Sequence, residues 1–203
     1  MSTPAPRRAP LPIVARPWFW LLFVGVLFSF PLIKGLGARL PDPPPGIDSA
    51  PLEFELPDDS GKLVRRADLG GHLLVITELA YLNAALHDEP LERLRHLRKR
   101  LRGLGSAVVF VVMTHGATAE QLTGFVNINT ARKPQNVWLV DEDGAVFSAL
   151  VRQAGAPSAQ MLLLDTHGRL RAIYGDDPAE LDVLVGTAGV LANWRGADPP
   201  PEG

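Results

Sequence analysis

The sequence contains no cysteine. Without a thiol the chain cannot form a disulfide, carry out thiol–disulfide exchange, bind a metal through thiolate or carry a lipid on cysteine. The absence does not reveal the compartment, because a protein without disulfides is stable on either side of a membrane. It excludes classes of chemistry rather than classes of location.

An excess of charge of one sign is also missing. The chain has 20 basic and 22 acidic residues and a formal net charge of -2, so the overall balance indicates neither nucleic acid nor an acidic partner. A Ser-His-Asp order, a phosphate loop and an H-E-x-x-H motif are absent as well. With 203 residues, 46% of them hydrophobic, the chain can bury one domain-sized core and has room for a short accessory segment.

One long uncharged apolar run is present, from Trp18 to Ile33, and it opens with two tryptophans. As a helix it covers roughly 24 Å, and continuing it past Lys34 brings it close to the thickness of a bilayer core. Basic residues precede the run and no acidic residue occurs before Asp42, which predicts a cytoplasmic N-terminus and an extracytoplasmic remainder. A cleaved signal peptide, with Gly35 and Gly37 near the cut, is the alternative.

Composition divides the chain into five parts. Residues 1–17 form a cytoplasmic N-terminal tail, and residues 18–39 form a transmembrane anchor. A proline-rich linker covers 40–51, because its proline and glycine content is too high for a helix. The folded domain is expected over 52–194, and 195–203 is expected to be a disordered tail.

Within the folded domain, apolar strand patterns alternate with helical ones. The stretch beginning at Leu52 suggests a hairpin around an Asp-Asp-Ser-Gly turn, and a later Asp-Thr-His-Gly turn joins two further strands. A helical stripe predicts an amphipathic helix after the first buried strand, and Thr118 is the expected N-cap of the next helix. The stripe consists of Leu91, Leu94, Leu97 and Leu101. Strands alternating with helices and followed by a late hairpin predict a central mixed sheet with helices on both faces.

This order resembles the thioredoxin-like fold and, within it, the SCO/SenC family of membrane-anchored copper-delivery and oxidase-assembly proteins. The likeness covers the apolar N-terminal run, the proline-rich segment, the F-x-L-x-D-x-x-G pattern at Phe54 to Gly61, and "LLLDTHGRLRAIYG" from Leu162 to Gly175. The resemblance implies an α/β fold: a thioredoxin-like three-layer sandwich with a central mixed sheet, preceded by an N-terminal transmembrane helix.

The resemblance also implies where a metal site would lie. Family members bind copper through two cysteines, spaced C-x-x-x-C after the first core strand, and one distal histidine before the late hairpin. Counted without a gap, these positions fall on Asn83, His87 and Pro157; a register anchored on Pro90 moves the first two to Ala85 and Glu89. Neither register contains a thiol, and Cu(I) prefers soft sulfur donors.

The resulting prediction is a non-catalytic binding or assembly factor without a cofactor. Its partner would be another envelope protein, such as a respiratory oxidase subunit or an assembly factor. The loop after the first core strand, "TELAYLNAALHDEP" from Thr77 to Pro90, would be a recognition surface or a vestige. A copper carrier that uses His87 and His115, possibly with Met113 or Met161, is the first alternative. A redoxin-like antioxidant enzyme is the second, although it would lack its thiolate nucleophile.

Several motifs allow both a structural and a functional interpretation. His87 with its acidic neighbours suits the cap of the following helix as well as a metal. In the wider thioredoxin-like group a cis-proline precedes the late hairpin, so Pro157 is a candidate for that role. The basic run from Arg93 to Arg102 is typical of a solvated helix face, and the alternative is binding to phosphate headgroups or an acidic partner. The Asp-Glu-Asp-Gly sequence at Asp141 to Gly144 fits a tight turn.

Overall fold

The computed structural model describes residues 17–37, 46–47, 50–87, 89–129, 136–175 and 177–194. The chain divides into two compact units, Met1–Pro41 and Asp42–Gly203. The predicted tails, most of the proline-rich linker and Asp88 lie outside the described residues.

In the first unit the described residues form a helix, α1, at Pro17–Gly37. The helix predicted for the apolar run is therefore present. Its described side chains include many large apolar groups that are roughly half exposed or more, from Trp18 to Phe28. Within the part of the chain that the structure describes, no helix has both the length and the apolar character required to cross a membrane. The predicted span is not shown and remains a prediction.

The second unit opens with a small antiparallel hairpin, β1 at Glu55–Pro57 and β2 at Leu63–Arg65. The turn between them forms around Asp58, whose carboxylate accepts hydrogen bonds from the backbone N–H groups of Ser60 and Lys62. The hairpin predicted around the Asp-Asp-Ser-Gly turn is confirmed.

A five-stranded mixed sheet forms the centre of this unit. Its middle strand is β3 at Leu73–Ala80, which pairs in parallel with β4 at Val108–His115 and antiparallel with β6 at Met161–Leu164. On the outer sides, β5 at Asn136–Val140 pairs in parallel with β4, and β7 at Leu170–Tyr174 pairs antiparallel with β6. The carboxyl ends of β3, β4 and β5 therefore meet at one edge of the sheet.

Helices connect the strands and cover the sheet. They are α2 at Tyr81–Leu86, α3 at Glu89–Leu101, α4 at Ala119–Asn129, α5 at Ala145–Gln153 and α6 at Pro178–Asn193. Because successive strand side chains point to opposite faces, neighbouring residues of β3 enter different cores. Each face of the sheet is packed against helices, as the sequence predicts.

The two cores share β3 as their common wall. On one face Leu74 and Ile76 pack in a cluster with Phe147 of α5, and on the other Val75 packs in a cluster with Leu97 of α3. All four of these aliphatic side chains are at most 2% exposed, and Phe147 is 3% exposed. Burial on both faces explains why the first half of β3, from Leu73 to Ile76, has a continuous apolar sequence rather than an alternating one.

The stretch from Thr77 to Pro90, predicted to be a loop, is mostly regular secondary structure. Thr77 to Ala80 complete β3, and Tyr81 to Leu86 form α2, so regular structure occupies most of the stretch. Leucine and alanine favour helix, and burial of Ala84 in a cluster with Leu79 fixes the short helix against the sheet. The middle of the stretch is therefore a short helix that packs against the core.

Candidate functional site

Polar side chains collect where the parallel strands end. Glu78 lies near the carboxyl end of β3, His115 ends β4, and Asp141 follows β5 directly. Ala80 is in register with His115, and Thr114 with Val140. Because ligands of open α/β sheets bind at the carboxyl ends of the strands, this edge is the first candidate for a functional site.

Glu78 and His115 form the central pair of this edge. The distance from His115 Nε2 to Glu78 Oε1 is 3.9 Å, and the two side chains are 39% and 31% exposed, respectively. Burial raises the pKa of the Glu78 carboxyl above its ordinary value and Asp141 raises it further, while His115 opposes the shift. The result is a partly desolvated carboxyl group that faces an imidazole.

Asp141 has a structural role beneath this pair. It is 3% exposed, and its carboxylate accepts hydrogen bonds from the backbone N–H groups of Val146 and Phe147 at 3.2 and 2.8 Å. These bonds satisfy N–H groups in the first turn of α5 that would otherwise lack partners. The predicted tight turn at Asp141 to Gly144 is confirmed, and the sequence did not predict that its first residue caps a helix.

Gly144 brings the turn close to the pair. Its φ is +70°, and a Cβ at this position would lie 3.1 Å from Glu78 Oε1 and 3.7 Å from His115 Cβ. Both the left-handed backbone and the short distance favour glycine here. The turn therefore forms one wall of the site and restricts the space around the Glu78 carboxyl.

A small cleft lies beside the pair, between β3, α3 and the entry to β6. Thr77, Glu78, Pro90, Arg93 and Gln160 are among the residues that line it, and its volume is about 70 Å³. Thr77 donates a side-chain hydrogen bond to the Gln160 carbonyl at 3.1 Å, which joins β3 to the segment before β6. This volume is well below the roughly 300–1,000 Å³ that is typical of small-molecule sites.

The positions that match the copper site hold no sulfur. Asn83 lies in α2, and the structure does not describe its side chain. His87 follows that helix and is exposed. Pro157 precedes β6 and is also exposed. The described part of the chain has no cis peptide bond, so the cis-proline interpretation of Pro157 is wrong.

In the alternative register, Ala85 is exposed in α2 and Glu89 begins α3. Glu89 pairs with Arg93 across one turn at 3.4 Å. This pair gives Glu89 the surface role of an ordinary helix carboxylate.

The histidine metal site of the alternative hypothesis has few donors. The described residues contain no group of three or more histidine and acidic side chains placed to hold a metal ion. Met113 and Met161 are 0% and 4% exposed and belong to core clusters on opposite faces of the sheet. His115 has Glu78 as its neighbour, and the sequence does not predict this pairing because Glu78 lies in a largely apolar strand far from His115 along the chain.

An aromatic chain joins α2 to the edge strand of the sheet. The rings of Tyr81 and Phe125 are 5.7 Å apart, and those of Phe125 and Trp138 are 6.1 Å apart, both edge to face. Leu82, the next residue of α2, is 66% exposed. The helix is thus anchored by an aromatic residue on one side and presents a leucine to solvent on the other.

A larger cavity of about 480 Å³ lies at the opposite edge, near the start of β3 and the end of α6. Its charged lining consists of Asp165 and Arg171, which form a buried ion pair at 2.8 Å. The Asp165 carboxylate also accepts backbone hydrogen bonds from His167 and Arg169, both at 2.9 Å. Because these groups bind each other, they stabilise the hairpin.

Comparison with known proteins identifies the fold. No family model matches the sequence, and no curated protein matches it. Among solved structures, a SCO1/SenC family lipoprotein from Bacillus anthracis matches with a TM-score of 0.58 at 15% identity, covering 73% of this chain and 98% of the other. BsSco, described as a member of the Sco family of cytochrome c oxidase assembly proteins, matches with a TM-score of 0.58 at 12% identity, covering 77% and 100%.

A third match is the Arabidopsis thaliana ScoI structure with copper bound, with a TM-score of 0.53, 16% identity and coverage of 73% and 100%. At these identities the likeness establishes the fold. The chain therefore has an SCO-like, thioredoxin-like fold, and the resemblance predicted from the sequence is confirmed. Unlike any protein that binds copper through cysteine, it has no cysteine.

Proposed function

We propose that this chain is a membrane-attached, cysteine-free relative of the SCO proteins that acts by binding another envelope protein. The observation that carries the proposal is that α2, at the positions where the resemblance implies a thiol-bearing segment, presents Leu82 with 66% of its surface exposed. Thiol redox chemistry and Cu(I) binding through thiolate both need sulfur that the sequence lacks. What the segment offers is a fixed apolar contact.

The physical basis of binding is the leucine and its rigid support. On the same helix Ala84 is 4% exposed, so α2 is held against the core while Leu82 projects outward. Burying a leucine side chain against a partner contributes about 1.5–3 kcal/mol, which is roughly a 10- to 100-fold change in affinity. A single exposed leucine is common on protein surfaces, so its position at the sheet edge used for binding in open α/β folds supports the assignment.

The proposed partner is a respiratory oxidase subunit or an oxidase assembly factor. Support comes from the structural neighbour described as a cytochrome c oxidase assembly protein. We further propose a single N-terminal span with its N-terminus in the cytoplasm and the folded unit outside the cytoplasm. The apolar run of α1, which opens with two tryptophans, and the basic residues before it support this arrangement.

The absence of cysteine makes a direct test possible, because single cysteines can be introduced without background. Ala85→Cys, an exposed position of α2 that leaves Leu82 in place, carries a photo-reactive cross-linker beside the proposed contact. Val183→Cys on α6, where Val183 is 59% exposed, is the matched control. In native membranes the first position should give a discrete cross-linked product that contains an oxidase subunit or assembly factor, and the control should not. Identical products at both positions would reject α2 as the contact.

A copper carrier that uses histidine is a second candidate, favoured by the 3.9 Å distance between His115 and Glu78. Imidazole and carboxylate suit Cu(II) or Zn(II) rather than Cu(I). Titration of the purified full chain with copper distinguishes this candidate from the first. Stoichiometric binding that is lost in His87→Ala or His115→Ala would replace the binding proposal with the carrier.

An antioxidant enzyme is the remaining alternative, and it is the weakest because peroxide reduction by this fold needs a thiolate nucleophile. Turnover of peroxide with a thiol reductant would support it.

A further inference from the structure

The helix α3 and the residue that follows it carry a concentrated positive charge. Residues 89–102 contain six basic and two acidic side chains, a formal charge of +4, whereas the whole chain carries -2. All other residues together therefore carry -6. This one helix is cationic on an otherwise acidic protein.

Ion pairs neutralise only part of this charge. Arg93 pairs with Glu89, Arg95 pairs with Glu92, and Arg100 pairs with Asp182 of α6. Three further cations, Arg98, Lys99 and Arg102, make no ion pair with any residue that the structure describes. The uncompensated charge lies in the last turn of α3 and the residue that follows it.

Core packing fixes the direction of these side chains. Leu91, Leu97 and Leu101 are 2 to 3% exposed and hold one side of α3 against the sheet. Helical spacing then places Lys99 on the outer side, where it is exposed, and Arg102, the residue after the helix, is also exposed. Arg98 follows Leu91 by two turns and is half-buried at the edge of this face. Cations near a helix C-terminus also interact favourably with its dipole, but that interaction is limited to the last turn and does not require this excess.

The side chains on this face indicate whether its partner is a protein or a lipid surface. The exposed large apolar side chains of the described residues include Leu82 on α2 and Val183 on α6, and none lies on α3. Protein–protein interfaces are built around a buried apolar or aromatic centre. A surface of phosphate headgroups needs no such centre and is bound by clustered lysine and arginine.

We propose that the cationic face at the end of α3, formed by the exposed Lys99 and Arg102 with the half-buried Arg98 at its edge, binds anionic phospholipid headgroups. The inference rests on the membrane attachment through α1 proposed above. Each basic residue near an anionic surface raises affinity about fivefold, so three give about a hundredfold. Such binding is weak for a free domain and effective for a tethered one, because residues 38–51 reach at most about 50 Å even when fully extended.

The test uses the full chain with one fluorophore on His96→Cys, an exposed position of α3 that leaves all six cations in place. The control label is at Ser148→Cys, an exposed position of α5 on the other face of the sheet. Both proteins are reconstituted into vesicles of phosphatidylcholine with or without phosphatidylglycerol. A spin-labelled phosphatidylcholine headgroup quenches fluorophores that lie at the surface.

We expect stronger quenching at position 96 in vesicles with phosphatidylglycerol, and no such dependence at position 148. High salt should reverse the effect, because exposed charges are screened. The variant Arg98→Glu/Lys99→Glu/Arg102→Glu should abolish it. The variant Lys62→Glu/Arg152→Glu/Arg169→Glu changes exposed residues elsewhere by the same total charge and should retain it.

Equal quenching at position 96 in both vesicles would overturn the inference, as would an equal effect of the two triple variants. Retention of an acidic membrane protein that depends on the α3 cations, without any lipid dependence, would assign the face to a protein partner instead. Flotation with vesicles separates this result from failure of the proposed membrane attachment. A chain that floats without quenching refutes only the headgroup contact, and one that does not float refutes both.

Discussion

The buried ion pair between Asp165 and Arg171 offers the sharpest test of what stabilises the folded unit. The two side chains are 6% and 2% exposed, and the guanidinium reaches the same carboxylate oxygen through Nε at 2.9 Å and Nη2 at 2.8 Å. In Arg171→Met the cation is lost while the carboxylate remains buried. Removing one partner of a buried pair costs about 3–5 kcal/mol, because an uncompensated charge is left behind.

For a folded unit of this size each kcal/mol corresponds to about 3 °C, so Arg171→Met should lower the Tm by about 10–15 °C. Thermal unfolding of the full chain, followed by circular dichroism, measures the shift. The exposed pair of Arg65 and Glu55 has the same 2.8 Å separation with side chains 62% and 45% exposed, and Arg65→Met should leave the Tm unchanged. Equal shifts in the two variants would refute the reasoning.

A double variant identifies the cause of the loss. If the unpaired charge is responsible, Asp165→Asn/Arg171→Met should be more stable than Arg171→Met alone, because the buried carboxylate is also removed. If lost packing of the arginine side chain is responsible, the double variant should be no more stable than the single one.

Three further predictions concern the Glu78 edge. Burial raises the Glu78 pKa, so the stabilising contribution of this side chain is complete below the ordinary glutamate pKa and is lost as pH rises through the folded-state value. Glu78→Gln should therefore gain stability relative to the natural chain as pH increases. Urea unfolding across a pH series measures this difference. His115→Ala should raise the Glu78 pKa further, because a neighbouring positive charge is removed, and carboxyl-carbon NMR titration would contradict this by showing a fall. Gly144→Ala should lower the Tm of thermal unfolding more than Gly61→Ala. Both residues have a left-handed φ, but only a Cβ at position 144 would lie against Glu78.

The order of the elements could be predicted from the sequence because local patterns determine it. Leu91, Leu97 and Leu101 follow helical spacing and are buried as expected. Thr118 begins α4 with a reciprocal capping pattern, in which the Gln121 N–H donates to its side chain and its own N–H donates to the Gln121 side chain. Such signals lie within a few residues of each other and need no knowledge of the tertiary structure.

The site could not be predicted as fully, because it depends on which strands become neighbours. Glu78 meets His115 through the parallel register of β3 and β4, and nothing local to either residue reveals that pairing. Asp165 was recognised as part of a turn, but its ion pair with Arg171 depends on the hairpin register. The one available signal was a lone carboxylate in the otherwise apolar sequence of β3, at the end where ligands collect.

The aromatic chain from Tyr81 through Phe125 to Trp138 gives the molecule an internal optical reporter. Trp138 is 4% exposed, so its indole senses protein neighbours rather than solvent. Any partner that shifts α2 must displace the first ring of this chain and thereby change the surroundings of the last. A partner that displaces α2 should therefore change the tryptophan emission of Trp138, whereas one that binds Leu82 without moving the helix should leave it unchanged.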